Sequence, residues 1–453
     1  MPARVEPAPP LPGQSPIAGK SLIARFDGGQ LSSDGGLLAL REVERRLGLA
    51  ERLAACIDDP RASERVRHGL ADILRFRMLM IAAGYEDGND ADGLRHDPVF
   101  KLALNQLPDG AALCSQPTIS RLENLPDLRA LLRMARAMVG LYRASFRRVP
   151  RRIVLDVDDT FDAVHGGQQL RLFNAYCDEY GFQPIVVFDG EGRPVAALLR
   201  PARRPTGRPT GREVRGFLRR LVREIRGHWP RVEILLRADS HYCAPEVLDF
   251  CRAERIDFIL GAATTTTLRR HVEALERSTA ARQAATAGPD KLRRYKAFHD
   301  GAASWSRVER IIARVEASPQ GIDSRFVVTT LAAGSARTLY EDLYCRRGQA
   351  ENHIKSWKTH LAADRTSCHR ASANQLRLML HNGAYWLMWS LRRLMPARSS
   401  WRVAQFDTLR LRLLKLAARG VTWKTKVLVH LPSACPDLAI LRLALERLPR
   451  LVI

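Results

Sequence analysis

Three acids in this sequence stand where divalent cations could be held. Asp158 closes the run Arg152-Ile153-Val154-Leu155-Asp156-Val157-Asp158, and Asp239 closes Val232-Glu233-Ile234-Leu235-Leu236-Arg237-Ala238-Asp239. Both runs read as strands that end in a carboxylate, whereas Glu351 lies in a stretch with helical spacing. An acid at the end of an apolar strand costs desolvation energy unless it is paired or metal-bound. Phosphoryl transfer on nucleic acid makes use of such acids, because two cations can clamp the attacking and leaving oxygens. Hard oxygen donors suit two Mg²⁺ ions, with Mn²⁺ as a substitute, better than Cys or His would. Each acid alone reads equally well as a capped or salt-bridged carboxylate; three in this element order point to a metal site. Asp156 shares the strand face of Asp158, with Val157 opposite, so it is the alternative first ligand.

The stretch around Glu351 is the most specific signal. Tyr344, Arg347, Glu351, Lys355 and Lys358 are three, four, four and three residues apart. On a helix they fall on one stripe under ~90° wide. One acid, three bases and a tyrosine do not make a core face. A solvated face with Arg–Glu pairing is the plain alternative, worth a few tenths of a kcal/mol. The stripe reads better as a metal ligand, Glu351, flanked by DNA contacts at Tyr344, Arg347, Lys355 and Lys358.

The elements that must position these acids follow from the pattern on either side. Residues 1–20 read as a disordered tail, and 21–148 as an all-helical region for DNA binding and dimerisation. Within it, Asp87 to Gly93 is a polar break suited to turns and helix caps. Ser115 is a plausible N-cap with Pro117 in the first turn, which sets Thr118, Ser120 and Arg121 near a helix N-terminus. Recognition helices touch DNA there, although an ordinary surface helix fits as well.

From residue 149 to 263 short strands and helices alternate in the order of an RNase H-like fold. Residues 264–335 read as a β-rich insertion, 336–395 as the second part of the catalytic domain, and 396–453 as a basic helical C-terminal region. The fold class is therefore mixed α/β. The segment from Arg200 to Arg226 is dense in arginine, and Arg203, Arg204, Arg208 and Arg212 suit a phosphate backbone as well as a solvated surface.

Composition supports a polyanionic partner. Lys and Arg number 72 against 48 Asp and Glu, a formal charge of +24, which favours double-stranded DNA. The eight Cys form no CxxC pair, which argues against a structural zinc site. The N-terminus has no apolar signal region, and the best apolar stretch, Leu376 to Trp389, contains Arg377, His381 and Asn382. The expectation is a cytoplasmic protein that lies on the nucleoid when bound to DNA, with no membrane partner.

Tyr344, Arg347, Glu351 and Lys358 resemble the YREK signature of bacterial DDE transposases in the insertion-sequence-4-like superfamily. Leu31-Ser32-Ser33-Asp34-Gly35-Gly36, Ser115-Gln116-Pro117-Thr118, Leu155 to Thr160, His165-Gly166-Gly167-Gln168 and Asp239-Ser240-His241-Tyr242 are similar to its insertion sequence 1380 branch, transposase DDE domain group 1. The resemblance runs from about residue 20 to beyond 390. It implies an RNase H-like domain with a β insertion and a triad at Asp158, Asp239 and Glu351. It selects Asp158 over Asp156. It also implies two Mg²⁺ ions, terminal inverted repeats and target DNA as substrates, and a homodimer on DNA. In the superfamily an aromatic in the insertion can stack on a flipped base, a role open here to Trp305, although packing inside the insertion is the favoured reading of that residue. A nuclease or resolvase that cuts without joining, and a non-catalytic DNA-binding protein, are the rival readings.

Overall fold

The computed structural model describes residues 9–202, 209–286 and 291–452. Residues 1–8 of the expected tail, and Arg203, Arg204 and Arg208, lie outside the described residues. A short strand β1 (Leu31–Ser32) leads into helices α1 (Leu37–Leu47), α2 (Leu49–Ala54), α3 (Leu70–Ala83), α4 (Ala91–Leu94), α5 (Pro98–Ala103), α6 (Gln116–Glu123) and α7 (Leu128–Ala144). The polar break forms caps. Asp87 and Asp90 make a capping box, and Asp92 accepts from the Gln116 N–H at 3.0 Å. Ser115 stands at the N-cap position of α6, but its hydroxyl meets Thr118 instead and makes no cap bond.

The next elements build a large mixed sheet, a smaller sheet and two helices. They are β2 (Arg152–Asp159), β3 (Asp162–Ala163), β4 (Leu172–Asn174), β5 (Glu179–Phe182), β6 (Ile185–Asp189), β7 (Pro194–Leu198), α8 (Gly211–Arg226), β8 (Glu233–Ala238), α9 (Pro245–Ala253) and β9 (Asp257–Ala262). Then follow α10 (Thr266–Thr286), β10 (Leu292–Asp300), β11 (Glu309–Ser318) and β12 (Gly321–Thr329). The eight-stranded sheet has the order β10-β11-β12-β9-β8-β2-β6-β7. β2, β8 and β9 are mutually parallel; β6 and β12 flank them antiparallel. A separate small sheet, β3-β5-β4, interrupts the passage from β2 to β6.

Residues 264–335 hold the strands β10, β11 and β12 and, before them, the 21-residue helix α10, which the sequence reading did not mark. Leu268 and Val272 of α10 cover Ile311, Ala313, Val315 and Phe326. The following strands also extend the central sheet through β12 and β9.

The C-terminal part is α11 (Gly348–Lys355), α12 (Ala371–Leu394), α13 (Phe406–Leu409), β13 (Ala418–Thr422), β14 (Val427–His430) and α14 (Leu438–Arg447). It is therefore not all-helical, and the N-terminal region is not either. β13 pairs with β1 and β14, so the two ends of the chain share a small sheet. Helix α12 is buried along most of its length and lies against α3, α1, α7 and β7. One hydrophobic core runs from Leu37 through the central sheet to Leu451.

The two faces of the sheet have different covers, as period-2 alternation requires. Ile153, Leu155, Val157, Ile234 and Leu236 face the core that includes Val214 and Leu218 of α8 and Val247 and Leu248 of α9. Leu235, Ile259, Ile312 and Val327 face Leu339 and Tyr340. Asp156, Asp158 and Arg237 alternate with the first set and so share the second face with Val154 and Leu235.

Candidate active site

Parallel pairing of β2 and β8 brings two of the acids together. The last register pair is Val157 with Ala238, so Asp158 and Asp239 are the next residue on each strand. A parallel pair runs both chains to the same end of the sheet. There Asp158 Oδ1 accepts from the Asp159 N–H at 3.0 Å, and Asp239 caps Ser240–Tyr242 through the Ser240 N–H.

The third acid arrives on a helical segment whose pitch changes. A π-helical turn spans Thr338–Tyr344, a 3₁₀ turn Cys345–Arg347, then α11, then a second π turn Ser356–His360. The single regular α-helix expected from the spacing is thus broken on both sides of Glu351. Bulges of this type are frequent at functional sites. On the buried side, Trp357 and Ala350 are in the core, and His353 lies 5.6 Å from Phe188 with Nδ1 3.3 Å from the Tyr385 hydroxyl. The turn at Gly192 (φ +79°) permits this docking, since a Cβ there would lie 2.4 Å from the His353 ring. Glu351 faces the other way, 67% exposed.

Arg347 joins the acids. Its Nη1 donates to Asp158 Oδ2 at 3.0 Å, and its Nη2 lies 3.5 Å from Glu351 Oε1. Burial would lower the Arg347 pKa, but the charges of Asp158, Asp239 and Glu351, with Tyr344, outweigh it and raise it. Burial pushes Asp158 up to about 6, opposed by Arg347 and reinforced by Asp159. Burial acts on Asp239 in the same direction, but the Ser240 N–H, Arg347 and His241 together hold it below its ordinary value. Two neighbouring carboxylates thus differ in proton affinity.

Asp156 is placed differently. Arg237 takes both of its oxygens, Nε to Oδ1 at 2.6 Å and Nη2 to Oδ2 at 2.7 Å, and the pair is buried. Arg237 Nη1 also donates to the Leu343 carbonyl at 2.8 Å, which fixes the start of the segment bearing Arg347 and Glu351.

The remaining expected contacts are dispersed. Tyr344 is mostly buried against Tyr340, and Gly261 must lack a side chain for it, since a Cβ would lie 2.8 Å from its hydroxyl. Lys358 turns inward: its ammonium donates to Thr160 Oγ1 and the Phe161 carbonyl, 3.7 Å from the fully buried Asp162. Lys355 is exposed. Arg212 is exposed and 3.8 Å from Glu246. Thr118 and Ser120 are half-buried and Arg121 exposed, on a helix tied at its far end by Glu123 to Arg377. Trp305 is half-buried in the β10–β11 turn, whose Ser306 donates to Asp249 of α9.

Sequence reasoning gave no role to His241. Its Nε2 lies 3.2 Å from Asp159 Oδ2 and its Nδ1 3.8 Å from Asp239 Oδ2, which links the ends of β2 and β8. The sequence signals were its place two residues after a strand-end acid and its position in the stretch Asp239-Ser240-His241-Tyr242.

Among the described residues, no three His, Cys, Asp or Glu side chains already close on one point as a metal cage. Asp158 and Glu351 share one guanidinium instead, and its charge also acts on Asp239. Their donor chemistry nevertheless fits Mg²⁺, which keeps several waters and is held through one or two carboxylates. Of the two strand-end acids, Asp158 is the one whose burial a cation would offset.

With this geometry, the chain belongs to the transposase DDE domain group 1 family, whose model matches residues 14–453. Comparison with curated proteins gives no match. Membership supports a transposase function, with DNA as the substrate that it implies, and DDE domains of transposases generally use divalent metals. Among the described residues, no helix is long and apolar enough to cross a membrane.

Proposed function

We propose that this chain is the transposase of a bacterial insertion sequence of the insertion sequence 1380 branch. It binds the terminal inverted repeats, nicks the DNA at the transposon end and joins the freed 3′-OH to the complementary strand or to target DNA. In this reading the β7-β6-β2-β8-β9 part of the sheet is an RNase H-like domain. The support is its central strand β2, flanked by an antiparallel pair on one side and two parallel strands on the other. It works in the cytoplasm on the nucleoid, as a homodimer on DNA.

The observation that carries the proposal is that Arg347 pairs with both Asp158 and Glu351, while the β2–β8 register sets Asp239 beside Asp158. Asp158 and Asp239 bring their carboxylates from rigid strand ends, and Glu351 brings one from a helix docked through His353 and Trp357. These three would hold two Mg²⁺ ions, or Mn²⁺, which when bound stabilise charge on the attacking and leaving oxygens. Arg347 and Lys355 present positive charge to the DNA phosphates beside the acids. Lys358 supports the site from below, by holding the chain just past Asp159.

The test is to incubate the full chain with Mg²⁺, a labelled transposon end and a plasmid. Joined product is the expected result. Cleavage without joining would point to a nuclease, and specific binding without cleavage to a DNA-binding protein.

A further inference from the structure

A cavity of about 420 Å³ opens between the end of α7, the β6–β7 turn, α12 and residues 447–452. It lies within the size range of small-ligand sites. Arg147, Arg193, Arg393, Arg447 and Arg450 line it, and none of them touches the acids around Arg347. Arg193 is built into the wall. Its guanidinium lies 4.3 Å from the centre of the Phe146 ring and 5.1 Å from that of Trp389. It is held by Asp189 at 2.6 Å and Glu191 at 3.1 Å, yet its Nε is buried without a hydrogen-bond partner.

Charge in this cavity does not balance. Glu191 is shared with Arg393 at 3.6 Å. Among the described residues, Arg147 and Arg447 reach only backbone carbonyls, of Arg450 at 3.5 Å and Leu394 at 3.2 Å, and Arg450 forms no ion pair. Among those residues five guanidinium groups therefore face two acids. The neighbouring Arg402 is held below its ordinary pKa by burial and then by repulsion from Arg393. Like charges gathered around an apolar floor are costly unless an anion enters. Guanidinium forks match phosphate oxygens better than a point charge does.

We propose that this cavity is a binding site for a phosphate group, carried either by a DNA strand or by a free nucleotide. It rests on the DNA-processing reading only for the first of those sources. It places a second anion contact among α7, α12 and the C-terminal residues, apart from the three carboxylates.

The experiment uses the full chain without divalent metal, and inorganic pyrophosphate as the small probe. Calorimetry should show saturable binding with one site per chain. Arg147→Gln with Arg450→Gln, both at exposed positions, should weaken it at least about tenfold with thermal unfolding unchanged. Binding of an unrelated duplex is then followed against salt. A fall of about two in its salt slope in that variant assigns the site to a DNA strand; an unchanged slope with lost pyrophosphate binding assigns it to a free nucleotide. Absence of pyrophosphate binding together with an unchanged slope would overturn the proposal. So would an equal loss of pyrophosphate binding in Arg219→Gln with Arg220→Gln, on the outer face of α8. Asp158→Asn should keep pyrophosphate binding whether or not it abolishes cleavage, so the two readings fail separately.

Discussion

Two carboxylates on one face of β2, two residues apart, meet arginines in opposite ways. In the middle of the sheet Asp156 is gripped bidentately by Arg237, and the pair is buried. At the strand end Asp158 takes one bond from Arg347 and one from its own neighbour's N–H, at the margin of a partly open site. The closed pair has both oxygens committed and uses its spare N–H to place the Leu343 carbonyl. The open pair has oxygen lone pairs to offer. Residue type and strand face are the same; what differs is whether the neighbouring strand supplies a partner in register. Arg237 pairs directly beside Asp156, whereas beyond Val157 and Ala238 the next residues are both acids.

Substitutions should separate the two. Asp158→Asn should cut end cleavage by about four orders of magnitude while the protein stays folded. Asp156→Asn should do the reverse. It leaves Arg237 buried without its charge partner, at a cost of about 3–5 kcal/mol in unfolding free energy, measured by urea titration. If Asp156→Asn proved as stable as the parent, the structural role of the closed pair would be lost.

A pH series sharpens the contrast. Burial raises Asp158 from 3.8 to about 6, so its contribution to stability is fully present below about pH 4 and is lost as pH rises through about 6. The full effect is about 3 kcal/mol. Without divalent metal, wild type should therefore lose stability relative to Asp158→Asn across that window. Parallel stability curves would contradict the burial of an under-compensated charge. The smallest effect is at Glu351. Its pair with Arg347 is 3.5 Å long and mostly exposed on the acid side. Glu351→Gln should shift stability by less than about 0.5 kcal/mol while cleavage is lost.

The sequence made the acids legible because strands β2 and β8 carry apolar runs that stop at a carboxylate, and the mixed α/β class followed from the same alternation. It could not rank Asp156 against Asp158 by residues alone, since the partner that distinguishes them is 81 positions away. His241 escaped for the same reason: its contact with Asp159 spans 82 positions. Helix α10 was hidden by threonines and polar residues, because few of its side chains are buried and they show a weak period. The hairpin of β13 and β14 turns through Trp423 to Lys426 without glycine or asparagine, so no turn signal marks it. The change of pitch around Glu351 leaves no mark in spacing at all.

The central claim is that Asp158, Asp239 and Glu351 perform the cutting. Its most direct test is nicking of a labelled transposon-end duplex with Mg²⁺ by wild type, Asp158→Asn, Asp239→Asn and Glu351→Gln at equal folded concentration. The account predicts nicking by wild type alone, with all four proteins still binding the duplex. A nick at the same position from any of the three variants at the wild-type rate would contradict it.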